Sequence, residues 1–388
     1  MRIEQLSLSE LRIPFKTRFR HASAERSETA SIWVEASAEG FVGHGESCPR
    51  PYVTGETTES ARAFFAGTHQ SLRQDIVDLD SLRKWMTTHA DAIDSNPAAW
   101  CAVELALLDL LAKVTGQTVE SLLSVPALSG PFRYTAVLGD SGEAAFAATA
   151  HAYQRMGFRD FKLKLSGDLE RDTRKVALLD SVDSTFRVRV DANNLWPDVR
   201  IAGTYLRDLG RSFAGVEEPL ISKRYAELRQ LSEALGYPII LDESLTSSAQ
   251  FRFLEGTADR WVINVRVSKM GGLLRSLGVV SAARARGIPL IVGAQVGETS
   301  LLTRAALAGG ATILTSHFHP FAPCGVTGFL LLAESHLSVH TWPEEGFAAF
   351  DVFSCGDMDT DAIIATIREA IRPLREEYHL IHRGIADG

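Results

Sequence analysis

Cysteine is scarce in this sequence, and the few cysteines are far apart. Only four occur in 388 residues, and no two of them form a Cys-x-x-Cys pair. Zinc sites usually carry Cys-x-x-Cys pairs, and disulfide frameworks usually occur in short, cysteine-rich secreted chains, so the sequence predicts reduced thiols in a cytoplasmic protein. The four are Cys48, Cys101, Cys324 and Cys355.

Long hydrophobic runs and clusters of basic residues are also lacking. No run approaches the roughly 20 apolar residues that cross a bilayer, and residues 1–15 have no signal-peptide core. The net charge is −8, with Lys and Arg spread along the chain rather than grouped. Because nucleic acids bind clustered positive charge, the sequence predicts a protein that binds neither nucleic acid nor membrane.

The first third of the chain has a pattern of its own. Residues 3–13 and 32–38 alternate apolar and polar side chains, as half-buried antiparallel strands do. Pro97–Lys113 has the pattern of a helix, and Asn96 suits its N-cap. These patterns predict a small α+β domain over residues 1–128.

Short apolar runs alternate with helical stretches between residues 129 and 340. Eight such runs, mostly joined by segments long enough for a helix, predict parallel strands. A (β/α) barrel fits this count better than a doubly wound open sheet, because no Gly-x-Gly-x-x-Gly turn follows the first run. The runs are Tyr134–Leu138, Phe158–Leu165, Phe186–Val190, Phe213–Val216, Pro238–Leu241, Trp261–Val267, Ile288–Val292 and Thr312–Thr315.

Residues 341–388 follow the predicted barrel. We expect them to form a C-terminal segment that packs back on the first domain. Asp357 and Asp359 precede a helical pattern over Ala362–Leu374. Acidic residues at the start of a helix cap its free N–H groups and complement its dipole, so a structural role is predicted for both.

Five of the strand runs end on or beside an ionisable residue. The intervals between these residues are 27, 26, 25 and 27, which is one strand–helix–strand repeat each time. In a barrel all five would lie at the carboxyl ends of the strands, where active sites of that fold are built. The five are Lys164, Asp191, Glu217, Asp242 and Lys269.

The three acidic members predict a metal site. Carboxylates on adjacent strands raise each other's pKa, and a divalent cation removes that conflict. Oxygen ligands favour Mg²⁺, or Mn²⁺, over Zn²⁺. Glu218 competes with Glu217 for the inward position, and strand alternation alone leaves the choice open. Asn193 is interpreted as a turn residue or a group that supports the site from behind.

The residues around these positions resemble the enolase superfamily. Lys162-Leu163-Lys164 together with a lysine on the sixth strand is similar to its muconate lactonizing enzyme subgroup, also called the mandelate racemase/muconate lactonizing enzyme family. The resemblance covers most of the chain. Its motifs are Lys-Leu-Lys (162–164), Asp-Ala-Asn (191–193), Glu-Glu-Pro (217–219), Asp-Glu-Ser (242–244), Ser-Lys-Met-Gly-Gly (268–272) and the helix Ala-Val-Glu-Leu-Ala (102–106).

The resemblance implies a modified (β/α)7β barrel with an N-terminal α+β capping domain. It implies that Asp191, Glu217 and Asp242 hold magnesium, that Lys164 and Lys269 are the acid/base pair, and that Lys162 assists them. Such a site removes the proton next to a carboxylate. Return of the proton makes a racemase or epimerase. Loss of a leaving group makes a dehydratase or a cycloisomerase, of the muconate cycloisomerase or o-succinylbenzoate synthase kind.

Substrate residues are less sharply indicated. Residues 317–324 lack the Asp-x-Asp that dipeptide epimerases of the subgroup carry after the eighth strand, which favours an N-substituted amino acid or a related small carboxylate. Arg266 replaces a lysine that many relatives have, with no consequence assigned. Glu298 stands near where the family carries an acid. Two segments, Phe15–Arg26 and Pro49–Thr58, are predicted to be mobile loops that bind substrate through Arg18, Arg20, His21, Arg50 and Tyr52.

Three other functions compete with this interpretation. His317-Phe318-His319 suggests a zinc hydrolase, although that motif belongs on a first barrel strand. Lys269 suggests a Schiff-base aldolase, which leaves the three carboxylates without a purpose. A catalytically inactive binding protein is the third, and the complete set of five charged residues disfavours it. A homo-oligomer is expected.

Overall fold

A computed structural model describes most of the chain. The described residues are 1–12, 14–21, 24–126, 133–294, 316–320, 326–332, 335–342, 347–354 and 375–379. They fold as two compact units, Met1–Ile313 and Leu314–Gly388. No helix among these residues is long and apolar enough to cross a membrane.

An antiparallel sheet begins the first unit. Its strands are β1 (Gln5–Leu11), β4 (Ser31–Ala38) and β5 (Phe41–Ser47), in the order β1-β4-β5. Strand β4 buries every second residue, as the alternating sequence predicts. The segment expected to be a loop forms instead a hairpin of β2 (Pro14–His21) and β3 (Ala24–Glu28).

Five helices complete this capping domain. They are α1 (Thr58–Asp75), α2 (Leu79–Thr88), α3 (Ala90–Ser95), α4 (Pro97–Val114) and α5 (Val119–Leu122). Helix α4 starts at Pro97 as predicted, but Asn96 makes no side-chain cap and donates instead to the Ala92 carbonyl. Strand β5 lies so close to α4 that a Cβ at Gly45 would be 1.9 Å from the Ala102 carbonyl oxygen.

Seven parallel strands form the second sheet of this unit, and they pair in chain order. A doubly wound sheet reverses its strand order at a switch point, so the sequential order is that of a barrel wall. The predicted barrel-type α/β fold with an α+β cap is confirmed, while the run Thr312–Thr315 lies outside the described residues. The strands are β6 (Thr135–Leu138), β7 (Asp160–Lys164), β8 (Arg187–Asp191), β9 (Val216–Glu217), β10 (Ile239–Leu241), β11 (Trp261–Val265) and β12 (Leu290–Val292).

Helices connect these strands and cover one face of the sheet. They are α6 (Glu143–Arg155), α7 (Leu169–Val182), α8 (Val199–Asp208), α9 (Tyr225–Leu235), α10 (Val267–Met270) and α11 (Leu273–Ala285). Two short 3-10 helices, Ser248–Phe253 and Ala258–Arg260, take the place of a helix between β10 and β11. The buried residues between positions 136 and 288 form one hydrophobic core, and those between 3 and 125 form another together with Val267 and Leu273.

The second unit contains a four-stranded antiparallel sheet. Its strands are β13 (Ser316–Pro320), β14 (Val326–Leu332), β15 (Ser335–Trp342) and β16 (Phe347–Ser354), paired in chain order. The predicted domain boundary at residue 340 falls inside β15, so the structure does not divide the chain there. Strands β13 and β14, which fall within the stretch expected in the barrel, belong to this meander instead. Most of the predicted C-terminal helix, Ala362–Leu374, lies outside the described residues.

Candidate active site

Three buried carboxylates lie side by side at the carboxyl ends of adjacent strands. Asp191 ends β8 and Glu217 ends β9, and the two pair directly across the sheet. Asp242 follows β10 immediately. Each of the three is only 1% exposed. The in-register parallel pairing therefore assembles the acidic row that the 25- to 27-residue spacing indicated.

The two predicted acid/base lysines contact opposite ends of this row. Lys164 ends β7, and its Nζ lies 2.6 Å from Asp191 Oδ2 and 2.9 Å from Asn193 Oδ1. Lys269 lies in α10, just after β11, and its Nζ lies 2.8 Å from Asp242 Oδ1. Neither lysine contacts Glu217, the central carboxylate, among the ion pairs of the described residues.

Two further cations contact the middle of the row. Lys162 Nζ lies 2.7 Å from Asp191 Oδ2 and 2.8 Å from Glu217 Oε1. The Arg266 guanidinium pairs with Asp242 and lies 3.7 Å from Glu217. The sequence assigned no consequence to Arg266, and the structure shows that it neutralises two of the three carboxylates. Four cationic side chains thus face three carboxylates.

The pKa values of the two lysines of β7 are shifted in opposite directions. Burial lowers the pKa of Lys164, and this outweighs the attraction of Asp191. Burial also acts on Lys162, but the charges of Asp191 and Glu217 hold its pKa above the ordinary value. A lysine must be neutral to accept a proton, so Lys164 is the better general base of the pair.

Glu217 and Glu218 point to different sides of β9. Glu217 Oε1 accepts from Lys162 and from Asn264 Nδ2, within the row. Glu218 accepts instead from the backbone N–H groups of Asp242 and Ser244, each at 2.7 Å, and from the Ser244 hydroxyl at 2.8 Å. Burial raises the pKa of Glu218 to about 7. The structure therefore brings Glu217, and not Glu218, into the carboxylate row.

The carboxylate oxygens of the row are the candidate ligands of a magnesium ion. Within the described part of the chain, no group of three His, Cys, Asp or Glu side chains converges as metal ligands, since each carboxylate turns toward a lysine or arginine. Glu217 Oε2, however, is buried without a hydrogen-bond partner. A buried carboxylate oxygen without a partner is costly, and a hard cation bound by oxygen ligands would satisfy it. The residues present fit the metal.

The structure places the residues that were predicted to support the site or to bind substrate in different environments. Asn193 adopts a left-handed backbone with φ +46°, and its Oδ1 accepts from Lys164, while its supporting role stays a prediction. Arg50 is fully buried and donates to the carbonyls of Ala30 and Pro49, so it is built into the fold rather than offered to substrate. Tyr52 is half-buried in a turn. Glu298 and the side chains of Arg18, Arg20 and His21 lie outside the described residues.

Sequence reasoning missed Asn264, which lies 2% exposed beside Glu217. The sequence did distinguish this residue, because Asn264 is the single polar residue in the apolar run of β11. One prediction placed His317-Phe318-His319 on the last barrel strand, and another compared residues 317–324 with the segment after that strand. Both lose that basis where β13 (Ser316–Pro320) belongs to the antiparallel meander. These are the zinc hydrolase and the argument against dipeptides. Cys48 and Cys101 are both buried, while Cys324 and Cys355 are outside the described residues.

Known proteins match most of the chain. The model of the mandelate racemase/muconate lactonizing enzyme N-terminal domain matches residues 6–124. An N-succinyl-L-Arg/Lys racemase from Bacillus cereus is 26% identical over 323 residues, 81% of this chain and 86% of that protein. A chloromuconate cycloisomerase from Cupriavidus pinatubonensis is 27% identical over 343 residues, 86% of this chain and 90% of that protein. Such relatives are isomerases.

A solved structure agrees with these sequence matches. The dipeptide epimerase from Methylococcus capsulatus, crystallised with Mg and the dipeptide L-Arg-D-Lys, superposes with a TM-score of 0.69 and 26% identity. The match covers 83% of this chain and 96% of that one.

The C-terminal part of the chain matches a different family. The model of S-adenosylmethionine decarboxylase matches residues 297–384. The S-adenosylmethionine decarboxylase proenzyme from Methanococcus vannielii is 47% identical over 94 residues, 24% of this chain and 77% of that protein. The isomerase matches cover more of the chain than the residues before 297, so the two likenesses overlap.

The unexpected meander of β13–β16 lies within this second match. Its alternating runs were a visible signal of an antiparallel sheet. The chain belongs to the mandelate racemase/muconate lactonizing enzyme family of the enolase superfamily, and its residues 297–384 belong to the S-adenosylmethionine decarboxylase family.

Proposed function

We propose that this chain is a magnesium-dependent racemase or epimerase that removes the proton α to the carboxylate of an N-acylated amino acid. The contact of Lys164 and Lys269 with opposite ends of the carboxylate row carries the proposal. Two bases at opposite ends of one site can reach the two faces of a planar intermediate held between them.

The chemistry follows from the lysines. One neutral lysine takes the α-proton, and the electron pair of the broken C–H bond moves into the carboxylate to form an enediolate. The opposite lysine, as an ammonium, gives a proton to the other face and becomes neutral. Lys162, held protonated by Asp191 and Glu217, adds fixed positive charge near the substrate carboxylate.

Asp191, Glu217 and Asp242 would hold the metal. The orphaned Glu217 Oε2 supports this assignment. Magnesium, when bound, supplies Lewis-acid stabilisation of the negative charge that develops on the substrate carboxylate. Asn193 would keep Lys164 and Asp191 in place through its two hydrogen bonds. Manganese in place of magnesium, substrate contacts from Arg20, His21, Tyr52 and Glu298, and a homo-oligomeric state stay predictions.

The substrate class follows from a chemical feature that the relatives share. An N-succinyl amino acid and the second residue of a dipeptide both carry a free carboxylate and an acylated nitrogen on the same carbon. The named racemase and the dipeptide epimerase structure therefore support N-acyl amino acids as the substrate class. The cycloisomerase among the relatives supports an alternative to racemisation, which is elimination or cycloisomerisation. These reactions would pass through the same enediolate as racemisation.

Proton exchange in deuterated water tests the proposal. N-succinyl and other N-acyl amino acids, together with dipeptides, are incubated with the enzyme and Mg²⁺, and deuterium at the α-carbon is followed by NMR. We expect exchange that a chelator stops and Mg²⁺ restores. Lys164→Ala should abolish exchange from one enantiomer more than from the other, and Lys269→Ala should do the reverse. Exchange that survives loss of both lysines would overturn the mechanism.

We propose a second activity, decarboxylation of S-adenosylmethionine, for residues 297–384. The 47% identity to the Methanococcus vannielii proenzyme supports it. The measurement is release of labelled carbon dioxide from carboxyl-labelled S-adenosylmethionine, with the Lys164→Ala/Lys269→Ala double variant as the control. Decarboxylation that persists in this variant while α-proton exchange is lost would assign the two reactions to separate sites. No release from the wild-type chain would refute the second activity.

A further inference from the structure

The chain segments that carry the two lysines are anchored in different parts of the first unit. Lys164 is followed by a turn at Ser166 and Gly167, before helix α7 begins. The Asp172 carboxylate on α7 accepts from the backbone N–H of Ser166 at 2.8 Å, from its hydroxyl at 2.9 Å, and from Gly167 N–H at 3.3 Å. One side chain therefore holds the turn that follows the lysine.

Asp172 is itself fixed by barrel residues. It is fully buried and accepts from Lys175 Nζ at 2.9 Å and from the Tyr205 hydroxyl at 2.8 Å. Lys175 Nζ also lies 3.3 Å from the Lys164 carbonyl oxygen and 2.7 Å from Asp140. All of these residues lie between β6 and α8, so the Lys164 segment is supported from within the barrel.

The Lys269 segment is instead held by the capping domain. Ser268, its neighbour, is fully buried, and its hydroxyl lies 2.7 Å from the Ser47 hydroxyl at the end of β5. The same hydroxyl accepts from the backbone N–H of Cys48 at 3.1 Å. These contacts join residues about 220 positions apart in the chain.

Glu104 on helix α4 makes a second contact from the cap to this segment. Its carboxylate accepts from Leu274 N–H at 2.9 Å, at the start of α11, and from Trp100 Nε1 at 3.1 Å. Gly272 has φ +97°, which favours glycine, and an added Cβ there would lie 2.5 Å from this carboxylate and displace it. An acid at a helix N-terminus satisfies free N–H groups and complements the dipole. Glu104 thereby fixes the Gly-Gly turn that follows Lys269.

We propose that the capping domain positions Lys269 through Glu104 and Ser268, while Asp172 of the barrel positions Lys164. The inference rests on the proposed function, because it assigns separate supports to the two lysines of the proposed acid/base pair. Glu104, Ser268 and Asp172 are positioning residues. Motion of the cap relative to the barrel would then disturb proton transfer on one face of the substrate and leave the other face intact.

The test compares α-proton exchange from the two enantiomers of one N-acyl amino acid, with N-succinyl-L- and N-succinyl-D-arginine as the first pair. Lys164→Ala and Lys269→Ala identify which enantiomer depends on which lysine. Ser268→Ala and Glu104→Gln should slow the Lys269-dependent exchange about tenfold, and Asp172→Asn should slow the Lys164-dependent exchange by a similar factor. Each group of variants is the control for the other.

Two further variants distinguish a positioning effect from a general loss of folding. Tyr205→Phe removes one hydrogen bond to Asp172 and should shift the enantiomer ratio in the same direction as Asp172→Asn, by a smaller factor. Ser232→Ala removes an equally buried hydroxyl that bonds the Tyr237 carbonyl away from both lysine segments, and it should leave the ratio unchanged. If the lysine variants separate the enantiomers but the positioning variants slow both equally, the inference is overturned. If the lysine variants do not separate them, the proposed function itself fails.

Discussion

Glu217 and Glu218 are consecutive residues, yet their carboxylates have no partner in common. Glu217 accepts from Lys162 and Asn264, and Glu218 accepts from the backbone N–H groups of Asp242 and Ser244. The positive φ of Glu218, +39°, allows the chain to turn sharply after the strand. One glutamate thus belongs to the proposed metal site, and the other braces the turn that presents Asp242.

Replacement of these two glutamates should therefore have different effects. Glu217→Gln should weaken Mg²⁺ binding by at least about tenfold, because it removes a charged oxygen ligand. Glu218→Gln should lower the unfolding free energy by about 1 kcal/mol, since the amide oxygen can keep both backbone hydrogen bonds while the N–H₂ replaces the oxygen that accepts from the Ser244 hydroxyl. Calorimetric Mg²⁺ titration and denaturant unfolding measure the two effects. Equal loss of Mg²⁺ affinity in both variants would contradict the separation.

Arg266 leads to a prediction about metal removal. Its buried guanidinium pairs with Asp242 and lies 3.7 Å from Glu217. Arg266→Met leaves those carboxylates without this partner, so the metal-free unfolding free energy should fall by about 3–5 kcal/mol. Saturating Mg²⁺ should recover more stability in this variant than in the wild type, because the ion supplies the missing charge.

Arg260→Met is the matched control for this change. Arg260 pairs only at the surface with Asp259, whose side chain is 73% exposed. Surface ion pairs contribute about 0–1 kcal/mol, so this variant should unfold almost like the wild type with or without Mg²⁺. An Arg266→Met variant that gains no more from Mg²⁺ than Arg260→Met would show that the arginine does not compensate these carboxylates.

Much of the site was predictable because parallel strands repeat. Lys164, Asp191 and Glu217 pair across three neighbouring strands, so equal spacing in sequence becomes proximity at one edge of the sheet. Strand alternation left the choice between Glu217 and Glu218 open, because both occur in one dipeptide. The family resemblance favoured Glu217, and the structure places that residue in the carboxylate row.

The supports of Lys269 and the C-terminal unit were not predictable in the same way. The hydrogen bond between Ser47 and Ser268 joins residues far apart in sequence, and two serines carry no pattern that pairs them. The run Thr312–Thr315, predicted as the eighth barrel strand, lies outside the described residues. The apolar–polar alternation of β13–β16 favours an antiparallel sheet, and the barrel prediction, which extended to residue 340, did not use it.

Glu104 predicts a pH dependence of stability. Burial raises the pKa of this carboxyl to about 7 from its ordinary 4.5, although the charge of Arg275 acts in the opposite direction. Between these pH values the folded chain binds more protons at this site than the unfolded chain does. Stability should therefore fall as pH rises from 4.5 to about 7, by about 3 kcal/mol from this group.

Glu104→Gln removes that titration. At pH 4.5 the folded carboxyl is neutral and its two oxygens accept from Leu274 N–H and Trp100 Nε1, whereas the amide N–H₂ of the variant cannot accept, so the variant should be less stable than the wild type at that pH. The gap should narrow toward pH 7.5, because only the wild type loses stability with deprotonation of residue 104. Denaturant unfolding of both proteins across this range, with chelator present, gives the comparison. Two unfolding curves that stay parallel with pH would be inconsistent with a raised pKa at Glu104.

The close packing of β5 on α4 gives a final prediction about the cap. A Cβ at Gly45 would lie 1.9 Å from the Ala102 carbonyl oxygen and 2.5 Å from the Ala106 nitrogen, both backbone atoms that cannot rotate away. Gly45→Ala must push the strand from the helix and should cost about 3 kcal/mol or more in unfolding free energy. Gly67→Ala, on the exposed face of α1 with no atom within 4 Å, should instead stabilise the chain by about 1 kcal/mol.

Because β5 also carries Ser47, which holds Ser268, the Gly45→Ala variant should also slow the Lys269-dependent exchange more than the Lys164-dependent exchange. Loss of both exchanges in equal measure, in a variant that is still folded, would separate cap packing from the positioning of Lys269.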